Sequence, residues 1–158
     1  IEDDNKQYDK SEKIFWASGT AFMTRKNIFN SVGGFDEKFF AHMEEIDYHW
    51  KCLKLGYDIY VEPEAVIYHR GAATLSEKSF LKNFLNHRNS LIIFLSNHNQ
   101  ITLKMICHRF LLEKISILYY LLTGRIKKFF GALGANLWIL FNIRYIIKLI
   151  LMYVNAQK

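Results

Sequence analysis

Glu44, Glu45 and Asp47 place three carboxylates within one helical turn. They stand in a stretch, 39–55, whose apolar residues at 39, 40, 43, 46, 50 and 53 recur at helical spacing. Acids are tolerated near a helix start, where the macrodipole is positive. Crowded carboxylates raise one another's pKa, and a carboxylate tuned in this way suits a general base. The same spacing also describes a solvated acidic helix start, and both readings stand at this point. Cysteine chemistry has little to build on. Cys52 and Cys107 are far apart and no CxxC occurs, which argues against a disulfide framework or a zinc site and fits a reducing compartment.

The elements that must position these groups follow from the pattern around them. Residues 1–13 are polar and predict a flexible lead-in without a signal peptide. Residues 14–24 are apolar around Ser18-Gly19, which predicts a strand or buried segment with a close backbone approach. Residues 26–32 predict a short helix stopped by Gly33-Gly34. After the acidic helix, Gly56 is a good C-cap. Residues 57–62 alternate like a strand ended by Pro63, and 65–69 predict a second short strand. Ser76, or alternatively Ser79, opens a helix running to about Ser96, and Asn97-His98-Asn99 breaks it. Two long helices are expected over 101–123 and 126–154. This is a mixed α/β front and a helical back, with a hinge near 97–100.

With 158 residues, 51% apolar and 16% aromatic, the chain can bury a modest core and is not a disordered segment. Its charge is divided. Residues 1–79 hold ten Lys/Arg against fourteen Asp/Glu, whereas 80–158 hold eleven against Glu113 alone. A basic, greasy back half points to an anionic partner. Its longest uncharged runs, 131–143 and 115–124, fall short of the roughly 20 apolar residues of a membrane span. Arg144 and Lys148 share one helix face, and Trp138, Tyr145 and Tyr153 suit a membrane interface. Interfacial amphipathic helices are the leading expectation, beside a spanning segment or packing on further protein. Basic residues interleaved with aliphatic runs argue against nucleic acid.

Five elements in order, "SGTAFMTRK", "GGFDEKFF", "EEIDYHW", "LGYDIYVEPEAVIYHRG" and "HRN", resemble the second half of the catalytic domain of inverting family 2 glycosyltransferases, in the rhamnosyltransferase-like and galactofuranosyltransferase-like branch. The resemblance covers roughly residues 14–95 and implies an α/β fold: the second half only of a GT-A domain (14–97), followed by a helical membrane-associated tail (98–158). It implies transfer from a nucleotide-sugar to a saccharide or lipid-linked acceptor at the cytoplasmic face of the cell membrane, in cell-surface polysaccharide synthesis. In the family the second acid of the pair on the helix after GGFDE is the catalytic base, and that position is Glu45. The family more often has Asp there, and the longer side chain moves the carboxylate by about one methylene, a displacement that can slow an enzyme. Asp47 matches a third acidic position that orients the acceptor or supports the helix, and Glu44 a supporting one.

The resemblance extends to other residues. His69 matches a strand-end His that helps bind Mn²⁺ or Mg²⁺ beside a DxD motif, and no such motif occurs in an apolar strand context here. Ser18 and Gly19 match a site of backbone approach to substrate. Trp16 is a candidate to stack on a sugar ring or a core aromatic. His87 and Arg88 belong to the basic segment, where Arg88 would clamp the leaving pyrophosphate or lie on the surface. The first residue is Ile, not Met, so a fragment of a longer protein is expected, with the nucleotide-sugar bound by the half not present. The rival expectation is an inactive remnant that binds a membrane surface. Poor solubility is expected of the isolated chain.

Overall fold

The computed structural model describes residues 5–6, 8–69, 79–98 and 100–155. Ser76 and the side chain of Tyr153, both singled out above, lie outside the described residues. The chain groups into two units, residues 1–38 with 44–71 and residues 39–43 with 72–158.

The first unit holds two helices, α1 (Lys26–Val32) and α2 (Glu44–Lys54). α1 stops where expected. Gly33 and Gly34 both adopt positive φ, and the Gly34 N–H returns to the Phe29 carbonyl at 2.9 Å. A Cβ at Gly34 would stand 2.9 Å from the Phe29 ring, so only glycine lets the turn close onto that side chain. Behind it is a small aromatic core. Tyr48, 1% exposed, is ringed by Phe22, Phe29 and Phe35 at centroid distances of 5.5–5.8 Å. Its hydroxyl shares a 2.8 Å hydrogen bond with Thr24. Phe22 stacks on Tyr48, Phe29 is tilted to it and Phe35 meets it edge-on, and aromatic pairs of this kind contribute about 0.5–1.5 kcal/mol each beyond area burial.

No strand forms among the described residues. Segments 12–14 and 59–61 meet in a single antiparallel bridge, Lys13 with Tyr60, through Ile14 N–H to Ile59 O (2.9 Å) and Val61 N–H to Glu12 O (3.0 Å). This overturns the expectation of an α/β fold containing half of a GT-A domain: the described chain is helical. Alternation along 57–62 and 65–69 satisfies one segment, but a strand also needs neighbours to complete its ladder. None is present among the described residues, and Val66, Ile67 and Tyr68 stay exposed. Over 14–24, Ser18 instead forms a tight turn, with Ala21 N–H on its carbonyl.

The second unit is a helical assembly of α3 (Phe80–Asn97), α4 (Leu103–Leu122), α5 (Ile126–Phe141) and α6 (Ile143–Asn155). Ser79 caps α3 by accepting from Lys82 N–H at 3.1 Å, and Thr102 caps α4 by accepting from Met105 N–H at 3.2 Å. α3 is central, with Leu85, Leu91 and Ile92 inside. α5 meets it through Gly131, Ala132 and Ala135. A Cβ on Gly131 would be 2.8 Å from Asn83 Cβ, so the small residue sets how closely the two backbones approach. The single long helix expected over 126–154 is two. Asn142 leaves helical geometry, and its side-chain amide joins its own N–H on the Trp138 carbonyl (2.9 and 3.0 Å). No single described helix is long and apolar enough to cross a membrane. α5 and α6 meet that measure only as a pair bent by 69°.

Residues 39–43 belong to this second unit. Phe40, His42 and Met43 all hold positive φ (62°, 68° and 70°), which side chains with a Cβ rarely adopt. α3 secures them. The fully buried Asn89 amide donates to the carbonyls of Phe39, Ala41 and His42 at 3.1, 2.9 and 2.7 Å. Arg88 donates to the Phe39 carbonyl at 3.1 Å and, through Nε, to Asn89 Oδ1 at 2.9 Å.

Candidate active site

The first turn of α2 carries Glu44, Glu45 and Asp47, as its sequence position required. The three are not equivalent. Asp47 is buried and pairs with Lys51 one turn on, so its charge is matched within the helix. Glu44 and Glu45 each turn one carboxylate oxygen, Oε2, into a buried position where it accepts no hydrogen bond from the described residues. A buried carboxylate oxygen left without a donor is costly, and native structures tend to keep such atoms where they serve chemistry.

Gly19 lies against Glu45. A Cβ built on Gly19 would sit 3.5–3.7 Å from the Cδ, Cγ and Cβ of Glu45. The structure thus brings together two positions 26 residues apart that the sequence had singled out separately. Ser18 beside it is occupied in its own turn, its Oγ accepting from Thr20 N–H (3.2 Å) and donating to Thr20 Oγ1 (3.0 Å). Trp16 is 42% exposed, and its neighbour Phe15 packs edge-on against Trp50 at 5.1 Å.

His49 is a residue the sequence reading missed. Its Nδ1 donates to the Glu45 carbonyl at 2.7 Å, one turn along α2, and its ring packs against Phe22 at 4.8 Å. Burial pushes the imidazole below its ordinary 6.5, against the opposing pull of the Glu45 carbonyl. The available signal was its place four residues after Glu45 on one helix face. His49 fixes the backbone that carries Glu45.

His69 is exposed and lies in an irregular segment. Among the described residues no group of three or more His, Cys, Asp or Glu is disposed to hold a metal ion.

His87 and Arg88 lie in the second unit. Arg88 is buried between the Phe84 and Trp138 rings (5.4 and 5.2 Å) while bonded to Asn89 and Phe39. His87 Nδ1 donates to Glu113 Oε2 at 2.8 Å. Glu113 is 1% exposed, pairs also with Arg109, and accepts from Asn136 at 3.3 Å. Burial pushes its carboxyl up, but His87 and Arg109 outweigh that and hold it below its ordinary 4.5. The network joins α3, α4 and α5 through one satisfied carboxylate.

Known proteins offer a partial match. The chain is similar to N-acetylglucosaminyl-diphospho-decaprenol L-rhamnosyltransferase of Mycobacterium tuberculosis, in both strain CDC 1551 / Oshkosh and strain ATCC 25618 / H37Rv. Each is 31% identical over 87 residues. The match takes in 54% of this chain and 28% of the relative, so the chain spans less than a third of the length of the curated relatives it matches. No protein family's sequence profile matches the chain, and no solved structure matches it significantly. Over the matched stretch the chain is a partial homologue of a glycosyltransferase.

Proposed function

We propose that this chain carries the acceptor-activating part of an inverting family 2 glycosyltransferase, with Glu45 as the catalytic base. The observation that carries the reading is the buried, unpartnered Glu45 Oε2 lying beside Gly19. A sugar hydroxyl entering there would donate the hydrogen bond that this oxygen lacks. Glu45 takes the hydroxyl proton as the acceptor oxygen attacks the anomeric carbon. The bond from that carbon to the nucleotide diphosphate breaks on the opposite face, the diphosphate leaves with the electron pair, and configuration inverts. Glu44 supports the carboxylate pair, and Asp47, held by Lys51, fixes the helix. Trp16 offers a partly exposed ring for the acceptor sugar.

The nucleotide-sugar is assigned to parts of the protein outside this chain. The acceptor class is a saccharide carried on a polyprenyl diphosphate, by analogy with the activity for which the mycobacterial relatives are named. The place of action is the inner face of the cell membrane, with the cationic, apolar second unit turned to lipid. The chemistry proposed for these residues rests on Glu45.

The test is sugar transfer from UDP-, GDP- and dTDP-sugars to a polyprenyl-diphosphate-linked N-acetylglucosamine, using the longer protein that contains this chain. Glu45→Gln is expected to lower the rate about 10²–10⁴-fold. Wild-type turnover in that variant would remove Glu45 from the reaction. The second reading, a membrane-surface protein without transferase activity, is favoured by the exposed apolar face of α4. It would be upheld by vesicle binding with no transfer of any of these sugars.

A further inference from the structure

The polarity of α4 runs against what water would select. Helices of water-soluble proteins turn apolar side chains inward and polar ones out. Here the innermost residue is Glu113, with Arg109, His87 and Asn136 gathered about its carboxylate. At 100° per residue, the opposite side of the helix carries Leu111, Ile115, Leu118 and Leu122. These are 56%, 54%, 55% and 76% exposed. They form an uninterrupted apolar stripe over the last three turns of a helix about 30 Å long. Patches of this kind on an isolated protein mark a surface that meets something apolar.

Charge says what that is. Lys104 and Lys114 flank the stripe, and Arg125 and Lys127 stand at the turn beyond its end. Arg125 lies over the Tyr119 ring at 5.2 Å and Lys128 over Tyr120 at 5.8 Å, which puts aromatic and cationic groups side by side at the helix end. Glu113 is the sole carboxylate side chain of residues 80–158, and it is buried and paired. Among the described residues of α3 to α6, the surface around the stripe thus presents cations with no acid among them.

We propose that the Leu111–Ile115–Leu118–Leu122 face of α4, with the cations at Lys104, Lys114, Arg125 and Lys127, is the surface on which this protein lies against an anionic lipid membrane. The helix rests along the headgroup boundary without crossing it. The leucines reach the acyl region and the Lys and Arg groups meet lipid phosphates. The inference rests on the membrane-surface part of the proposed function and names the face that performs it.

Cys107 allows a direct test. It is exposed on the edge of the same face, whereas Cys52 is buried, so a polarity-sensitive fluorophore can be attached there selectively. The full chain is mixed with phosphatidylcholine vesicles with and without phosphatidylglycerol. The expected result is co-flotation with the anionic vesicles and a blue shift of the Cys107 fluorophore. Leu111→Gln with Ile115→Gln and Leu118→Gln should weaken binding at least about tenfold. Each of Lys104→Gln, Lys114→Gln and Arg125→Gln should weaken it about fivefold. Ile143→Gln with Ile147→Gln on α6 serves as the control and should bind as the wild type does. All these positions are exposed, and unchanged circular dichroism establishes that the variants fold. Vesicle binding with a fluorophore that stays hydrated, or binding indifferent to the α4 changes, would overturn the assignment to this face and leave the membrane reading in place. A wild-type chain that binds no vesicle would overturn both and point to protein as the cover for the stripe. Sugar transfer by Glu45 is measured separately and stands or falls alone.

Discussion

The first unit buries aromatic rings around Tyr48 and leaves one carboxylate oxygen each of Glu44 and Glu45 without a hydrogen-bond partner among the described residues. The second buries a carboxylate, Glu113, with every one of its neighbours placed to satisfy it, and leaves leucine outside. Both contain an acid that is poorly placed by ordinary rules. The difference is satisfaction. Glu113 receives His87, Arg109 and Asn136, so its charge belongs to the structure and ties three helices together. Glu45 Oε2 receives nothing from the described residues, so its cost is left uncompensated within the fold. A buried charge with its full set of partners is evidence of architecture, and one without them is evidence of a task.

Exchanging each acid for its amide is the sharpest way to break that contrast. Glu45→Gln should reduce transfer by about 10²–10⁴-fold and leave the melting temperature unchanged, because the buried Oε2 accepts no hydrogen bond from the described residues. Glu113→Gln should do the reverse. It strands the Arg109 guanidinium and the His87 imidazole in a largely buried site, and the loss expected is about 3 kcal/mol of stability, read from denaturant unfolding. If Glu113→Gln proved harmless and Glu45→Gln unfolded the protein, the division between structural and functional acid would be reversed.

Packing offers the next test. Gly131→Ala places a methyl 2.8 Å from Asn83 Cβ and 3.0 Å from the Phe84 amide nitrogen, both anchored to the α3 backbone. The helices must part, at a cost of about 1–3 kcal/mol. Since Gly131 and the Asn83 and Phe84 atoms it meets all belong to the second unit, amide exchange should quicken along α3 and α5 while the amides of α2 keep their protection. Uniform quickening throughout would show that the two units unfold as one.

Much of this was legible beforehand where the signal is local. Periodicity and caps placed α1, α3 and α4, because helix hydrogen bonds close within one segment. Helical spacing over 39–55 held only from Glu44 onward, because Phe40, His42 and Met43 take left-handed backbone bonded to α3. The acids at 44, 45 and 47 fell in the first turn of α2 for the same reason. The expected strands did not form, because alternation at 57–62 describes one edge of a ladder whose other edge the described chain supplies only at Lys13. The long last helix was broken by Asn142, whose side chain competes for a carbonyl in a way that composition does not reveal. Asn89 was read only as part of a basic motif. Its bonds to carbonyls 47–50 residues earlier, on a segment of left-handed residues, became visible only in three dimensions. Glu113 was counted as a charge interrupting a greasy run, whereas it is the centre around which that run is organised.

The smallest effect is also the one that separates the units by acidity. Burial holds His49 below 6.5, so the unfolded chain takes up the proton first as pH falls. The stability that the neutral imidazole lends to the first unit is complete above pH 6.5 and is lost as pH drops through the folded value. Glu113 is held below 4.5 by His87 and Arg109 against the opposing effect of burial. Its contribution to the second unit is complete above pH 4.5 and is lost only as pH falls through a value lower still. Between pH 6.5 and 4.5, then, amide protection should decline along α2 while α3 keeps its own. His49→Gln should remove that decline, since glutamine donates a similar hydrogen bond to the Glu45 carbonyl without titrating. A decline that begins in α3, or one that survives His49→Gln, would mean that acid enters through groups other than these two.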